Sequence, residues 1–239
     1  MRKHAYALCL AALLAACGGG GDGDASPRGQ QWSGTLEDAA FDLFAVAVWI
    51  DGSDITEVRE DGVRTGVIGT VGPLAGLVRQ YTVNDGVDAI NGVFLVSSAG
   101  THMAFADEGL NFGVLQRGAA SLSVYGYENL AGAWSGRSVE TDFAGSISEV
   151  TSSATCSTPA ATLTCTITIT GGVTLIADFL SADFDSGFGR WQGVFTGPAS
   201  STGSINAFLS PDKTFAAAWA CLDPDQTWPD DCIYSAWQR

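Results

Sequence analysis

Trp32-Ser33-Gly34 returns 102 residues later as Trp134-Ser135-Gly136. Ala89-Ile90-Asn91-Gly92-Val93-Phe94-Leu95 is echoed by Ser204-Ile205-Asn206-Ala207-Phe208-Leu209 at an offset of 115, and Gln116-Arg117 by Gln238-Arg239 at an offset of 122. Three echoes in one order with a growing offset read as an internal duplication whose second copy carries insertions. The chain must then fold as two similar units of roughly a hundred residues each, near the usual domain size. The last increase in offset falls where Cys221 and Cys232 sit, so the loop between them reads as an insertion.

Both units are rich in Val, Ile, Thr, Phe and Trp, punctuated by Gly, Asn and Asp. That is the composition of antiparallel strands joined by short turns. Residues 162–170 alternate Thr with Leu, Cys and Ile, so one face should be wet, and Gly171-Gly172 ends the run. Residues 41–50 are apolar on both strand faces after Asp42; the Val-rich end and the Asp51-Gly52 turn favour a strand over a buried helix. Two dry faces predict a cover on its outer side, most simply the second unit. The expected fold is all-β, with two tandem antiparallel meander or small barrel-like repeats over 29–118 and 132–239 and a linker over 119–131. One large β-sandwich or barrel is the alternative.

The amino-terminal segment joins Arg2-Lys3 to a short apolar run ending in Leu14-Ala15-Ala16-Cys17. It resembles a bacterial lipoprotein signal. The resemblance implies removal of residues 1–16 as a signal peptide, thioether lipidation of Cys17 and acylation of the new terminus. The run falls short of the roughly 20 residues that span a bilayer. Residues 17–28, mostly Gly, Asp and Ser after the cysteine, read as a lipidated flexible tether. Gly18 is not aspartate, which by resemblance to lipoproteins of two-membrane bacteria implies passage to the outer membrane; which face it occupies stays open.

The formal charge is −15, and loss of Arg2 and Lys3 makes it two units more negative. Such a polyanion excludes nucleic acid, whose phosphates require Lys and Arg. It also excludes electrostatic docking on anionic lipid, leaving the acyl chains as the membrane contact. The field attracts a basic or envelope protein partner, although solubility alone explains an acidic surface. Cys9 leaves with the signal and Cys17 takes the lipid, so Cys156, Cys165, Cys221 and Cys232 remain for an oxidising compartment. Of three pairings, Cys156–Cys165 and Cys221–Cys232 are expected, because each couple flanks a short polar loop between strand-like runs. No CxxC knuckle and no neighbouring histidine supports a thiol-bound metal.

His4 also leaves with the signal, so His102 is the one histidine of the mature chain. In Thr101-His102-Met103-Ala104-Phe105 it alternates with apolar neighbours and reads as a strand residue on the polar face. No HExxH, GxSxG or phosphate loop is present, and no enzyme activity is expected. A carboxylate-based hydrolase is kept as an alternative, since two acids across a cleft suffice for glycoside chemistry.

Residues 127–134 read Tyr-Glu-Asn-Leu-Ala-Gly-Ala-Trp. Gly132-Ala133-Trp134 resembles the first strand of the lipocalin or calycin superfamily, where Gly-x-Trp follows a short helical turn. The resemblance implies that Trp134 closes one barrel end and that Arg239, from the last strand, lies across it, a cation–π contact of roughly 0.5–2 kcal/mol. In the first unit Trp32 and Arg117 match, but Gln30 stands where the family has glycine. A lipocalin-like barrel, if hollow, would carry a small apolar ligand; a filled one would bind or scaffold through its surface.

The surface candidate is the stretch 222–231, where Asp223, Asp225, Trp228, Asp230 and Asp231 sit between two cysteines with two prolines. It reads as a stapled hairpin tip, as a recognition loop anchored by Trp228, or as a Ca²⁺ site that lacks EF-hand spacing. Asp183-Phe184-Asp185-Ser186-Gly187 and Asp51-Gly52-Ser53-Asp54 read as turns. No cofactor is expected. The chain is thus expected to be a lipid-anchored, non-catalytic binding or scaffolding module, with a hollow-barrel carrier as the alternative. Cys17→Ser should abolish membrane fractionation and the acyl mass; unchanged fractionation by detergent partitioning would reject lipidation.

Overall fold

The computed structural model describes residues 27–72, 77–84, 86, 88–109, 111–119, 123–142, 146–158, 161–221 and 232–239, with the backbone alone over 140–142 and 146–148. The first unit comprises β1 (Gln30–Glu37), β2 (Leu43–Asp51), β3 (Asp54–Glu60), the two-residue β4 (Val63–Arg64), β5 (Ile68–Val71), β6 (Val78–Asn84), β7 (Ala89–Val96), β8 (His102–Asp107) and β9 (Phe112–Arg117). All pairings are antiparallel between neighbours, β1 lies between β2 and β9, and the β2–β3 pairing closes the ring. β4 is a spur on β3.

The second unit repeats this plan: β10 (Gly132–Asp142), β11 (Ser146–Ser157), β12 (Thr162–Ile169), β13 (Val173–Asp185), β14 (Arg190–Thr196), β15 (Thr202–Leu209), β16 (Phe215–Cys221) and β17 (Cys232–Gln238) form a closed eight-stranded barrel. The fold is therefore two tandem barrels, not one large sandwich. The three sequence echoes fall on the first, sixth and eighth strands of each ring.

The repeated glycine has a steric cause. A Cβ at Gly34 would lie 1.8 Å from the Val114 carbonyl oxygen, and one at Gly136 would lie 2.0 Å from that of Ala236. Both glycines sit where the first strand crosses the last, and only a residue without a side chain allows that approach.

Strand alternation sorts the apolar residues into three cores. Trp32, Leu36, Val46, Tyr81, Phe94, Phe105 and Leu115 face into the first barrel. Trp134, Leu163, Ile167, Phe179, Trp191, Phe195 and Trp237 face into the second. The third core lies between barrels. Val93, Leu95, Ala104, Ala106, Phe112 and Val114 on the outer side of β7–β9 meet Phe208, Phe215, Ala217, Tyr234 and Ala236. Phe112 is its centre, edge-on to Phe208 at 5.4 Å and tilted against Trp219 at 5.9 Å and Tyr234 at 6.2 Å.

The outer side of β2 is not covered by the second barrel, contrary to the expectation from its two dry faces. Only Leu43 at its start joins the inter-barrel core. Ala45, Ala47 and Trp49 are half-buried, and the Arg59 guanidinium covers the Trp49 ring at 5.3 Å while binding Glu57 at 2.5 Å. Arg64 reaches the other Glu57 oxygen at 3.2 Å. Long side chains of the neighbouring strands, rather than a domain, dry that face.

The barrels are also joined by a buried ion pair. Arg190 Nη1 donates to Glu37 Oε2 at 2.5 Å and Asn206 Nδ2 donates to Glu37 Oε1 at 2.9 Å. Burial pushes the Glu37 pKa up, and these two partners do not fully offset it. Both cysteine pairs form as expected, each bridging directly opposed residues: Cys156–Cys165 across β11–β12 and Cys221–Cys232 across β16–β17.

With side chains 14% and 2% exposed, Arg190 and Glu37 are partners that cannot be separated cheaply. Arg190→Met should cost about 3–5 kcal/mol in urea unfolding at neutral pH, because it strands a buried carboxylate. The double variant Glu37→Met/Arg190→Met should recover most of that loss. A single variant as stable as the parent would show that the pair does not hold the barrels together.

Candidate functional site

The two interiors differ. In the second barrel the void bordered by Trp134, Cys156, Cys165, Phe179 and Trp237 is ≈ 10 Å³, about the least space a water molecule needs. Its end is plugged by the short 3-10 turn Tyr127–Leu130. The Leu163 N–H donates to Tyr127 Oη at 2.6 Å, and that hydroxyl donates to the Phe179 carbonyl. Trp134 Nε1 donates to the Leu130 carbonyl at 2.8 Å, Trp191 Nε1 to the Tyr127 carbonyl at 3.1 Å, and Trp237 Nε1 to Ser152 Oγ at 2.9 Å. The Arg239 guanidinium lies 4.2 Å from the Trp134 ring centroid and donates to the Asn129 and Ala131 carbonyls. In the first barrel Arg117 is the exposed register partner of buried Trp32, and no cation–π contact joins them.

The first barrel is hollow toward one end. A cavity of ≈ 120 Å³ lies above Phe94, Phe105 and Leu115, walled by Val46, Val48, Ile55 and Val58. In the second barrel Trp134, Phe179 and Trp237 converge on the small void instead. Lining residues deep in the barrel are buried, while Glu60, Val67, Val83, Ile90 and Asn111 at the other end are half-buried. That gradient gives the cavity a mouth, at the end of the barrel where β1, β3, β6 and β8 finish.

Two carboxyls line it. Asp107 Oδ2 accepts from Tyr81 Oη at 3.1 Å, and Oδ1 accepts from the Gly109 and Asn111 N–H groups at 2.9 and 3.0 Å; Asn111 Nδ2 reaches both oxygens. Burial pushes Asp107 up to about 6 against these bonds, and burial with the adjacent Asp107 charge pushes Tyr81 well above its usual value. Asp107 is thus saturated and holds the β8–β9 turn. Glu60 differs: no hydrogen bond or ion pair engages its carboxylate among the described residues. Burial, then the charges of Asp38 and Asp61, push its pKa up.

Glu60 faces inward because of a register shift. Ile50 pairs with Ile55 but Trp49 pairs with Glu57, so Thr56 is an extra residue in β3. Beyond the bulge Val58 and Glu60 point in, and Glu57 and Arg59 point out.

His102 is not on a wet face. The outer side of β8 is the side the second barrel covers, so the ring is buried, stacks on Phe215 at 5.3 Å and places Nε2 3.0 Å from Asp212. Burial opposes ionisation of Asp212, but hydrogen bonds from Ser210 and Thr214 and the His102 ring outweigh it and hold its carboxyl low. This is an inter-barrel lock. A cleft of ≈ 440 Å³ also runs between the barrels, but its cations are engaged: Arg137 binds Glu149 at 2.5 Å, and Arg239 is committed to Trp134 and the carbonyls. Asp185 Oδ1 accepts from the Gly187 and Phe188 N–H groups, as a turn residue does, and Asp51–Asp54 joins β2 to β3. No group of three or more metal-ligating side chains forms among the described residues. Cys17 and the loop bearing Asp223, Asp225, Trp228, Asp230 and Asp231 lie outside the described residues.

Glu60, Asp107 and Tyr81 were not singled out by the sequence. One signal was present: Gly92 stands where the second copy has Ala207, and a Cβ at Gly92 would lie 2.3 Å from the Tyr81 ring.

No protein-family model and no curated protein matches the chain. Among solved structures it is similar to a Nostoc punctiforme protein of unknown function from the DUF3598 family, at 10% identity over 89% of this chain and 96% of that one, with a TM-score of 0.38. The strand pairings, not this likeness, carry the fold.

A raised native pKa means that the folded state holds the Glu60 proton more tightly than the unfolded chain. That contribution is fully present below the unfolded value, about 4.3, and is lost as pH rises through the raised one. Glu60→Gln should therefore melt higher than the parent at pH 7–8, with the gain shrinking as pH falls toward 4. A variant that melts lower at neutral pH would mean that Glu60 has a stabilising partner.

Proposed function

We propose that this protein is a lipid-anchored envelope binding module whose first barrel takes a small, mainly apolar ligand. The contrast between interiors carries the reading: on one strand plan the second barrel keeps ≈ 10 Å³ among Trp134, Phe179 and Trp237, and the first keeps ≈ 120 Å³ behind a polar mouth. An apolar void of about 150 Å³ is enough for benzene, so the ligand portion inside is a single ring or a short alkyl chain. The filled barrel, with its two disulfides, is the scaffold. Anchoring through Cys17 rests on the resemblance of residues 1–17 to a lipoprotein signal, and the cysteine pairs fit an oxidising compartment. A binding role is favoured over a hydrolase because Asp107 is saturated by turn hydrogen bonds and no nucleophile accompanies Glu60.

Toluene at millimolar concentration should raise the melting temperature of the full chain, as any ligand of the native state does. Val46→Phe, which projects a ring into the cavity beside Glu60, should abolish the shift. An equal shift in the variant would reject the first barrel as the binding site, as would a parent protein that shifts with neither toluene nor benzylamine.

A further inference from the structure

We propose that the ligand of this cavity is a small apolar amine, its ammonium held by Glu60 at the mouth and its apolar body lying between Val46, Val48, Phe94 and Phe105. The inference rests on the binding role of the first barrel and adds the class of ligand.

The geometry of the mouth is one-sided. Glu60 is an inward-facing carboxylate without a hydrogen-bond or ion-pair partner among the described residues, at the edge of an apolar space. The nearest arginines along the chain, Arg59 and Arg64, are turned to the outer face by the Thr56 bulge and both bind Glu57. The charged and titratable groups set toward Glu60 are Asp38 in the β1–β2 turn, Asp61 after β3, and Asp107 and Tyr81 across the cavity. Each is an acid, and no lysine, arginine or histidine lines the cavity. Asp38 and Asp61 already accept backbone N–H groups through one oxygen, from Ala40 and Asp42 and from Ala45 respectively. Glu60 is the acid left without such a bond.

This arrangement discriminates among ligands. An anion would meet only like charges. A plain hydrocarbon would strip water from the Glu60 carboxylate and return nothing, which is unfavourable for any desolvated charge. A metal ion lacks a ligand set, since no group of three donors converges among the described residues. An ammonium replaces the lost water with a charge-assisted hydrogen bond and relieves the repulsion from Asp38 and Asp61. The volume limits the apolar part to about one ring.

The test uses the full chain and three probes of one size: benzylamine, toluene and benzoate. Calorimetric titration at pH 7.5 should give benzylamine an affinity about tenfold or more above toluene, with benzoate the weakest. Glu60→Gln should remove the benzylamine advantage, while toluene, spared the desolvation of a carboxylate, should bind no more weakly than to the parent. In the parent protein, benzylamine affinity should fall as pH drops through the carboxylate range while toluene affinity does not fall; this measurement needs no variant. Equal affinities for benzylamine and toluene, unaltered by Glu60→Gln or by pH, would overturn the amine and leave the cavity as a neutral-ligand site. Preference for benzoate would overturn it too. If neither toluene nor benzylamine binds, the ligand-binding role of the barrel falls with it.

Discussion

Everything in this protein depends on the seam where the first strand of each ring lies against the last. At Gly34 and Gly136 the backbone of that strand comes so close to the carbonyls of Val114 and Ala236 that no side chain fits. Closure removes the edges at which an open sheet would pair with other chains. It also fixes inside and outside for all eight strands at once, because successive residues alternate faces. From that one constraint follow the interior of each barrel, and the outer stripe through which the barrels meet.

The outer stripe makes the two barrels one structure. Phe112, Phe208, Phe215 and Tyr234 would be large exposed apolar groups on separate barrels, and here they form a shared core. The polar contacts around it, Glu37 with Arg190 and Asn206, and His102 with Asp212, set the relative position of the barrels more than their strength. A buried ion pair gains little over a well-packed apolar pair, but a misplaced one leaves an unpaired charge.

Much of this was legible in the sequence, for physical reasons that also explain the gaps. The Trp-Ser-Gly echo was visible because closure demands glycine at one place in each ring. The cysteine pairs were visible because each couple flanks a short polar stretch between strand-like runs, and strands joined in that way pair. The cover of β2 was misread because hydropathy reports that a face is dry, not whether a domain or the stems of arginines dry it; here Arg59 lies over Trp49. His102 was misread because period-2 alternation identifies the outer face of β8 but not what packs on it. Glu60 was hidden by a single inserted residue. Were β3 regular, with Thr56 taking its place in the alternation, parity would turn Glu57 inward and Glu60 out. Register shifts of this kind leave no mark in a single sequence.

The cavity is not something the barrel plan requires. Apolar walls held apart around ≈ 120 Å³ forgo contacts that a filled interior would make. The second barrel, on the same ring of strands, keeps only ≈ 10 Å³ around Trp134, Phe179 and Trp237, although its register equivalents of Val46, Val48 and Val58 are Ser152, Ala154 and Ile167, the first two of them smaller. The cost is compounded at Glu60, whose carboxylate is drawn into that space against both burial and the charges of Asp38 and Asp61. Replacing valine by a larger apolar residue, or glutamate by glutamine, would relieve each penalty within the same backbone. The shared core and the second barrel supply the stability that lets the first barrel keep a void beside a half-buried acid that other acids repel. Unfavourable terms that cluster at one mouth, in a fold able to remove both, are what a site for an apolar cation would require.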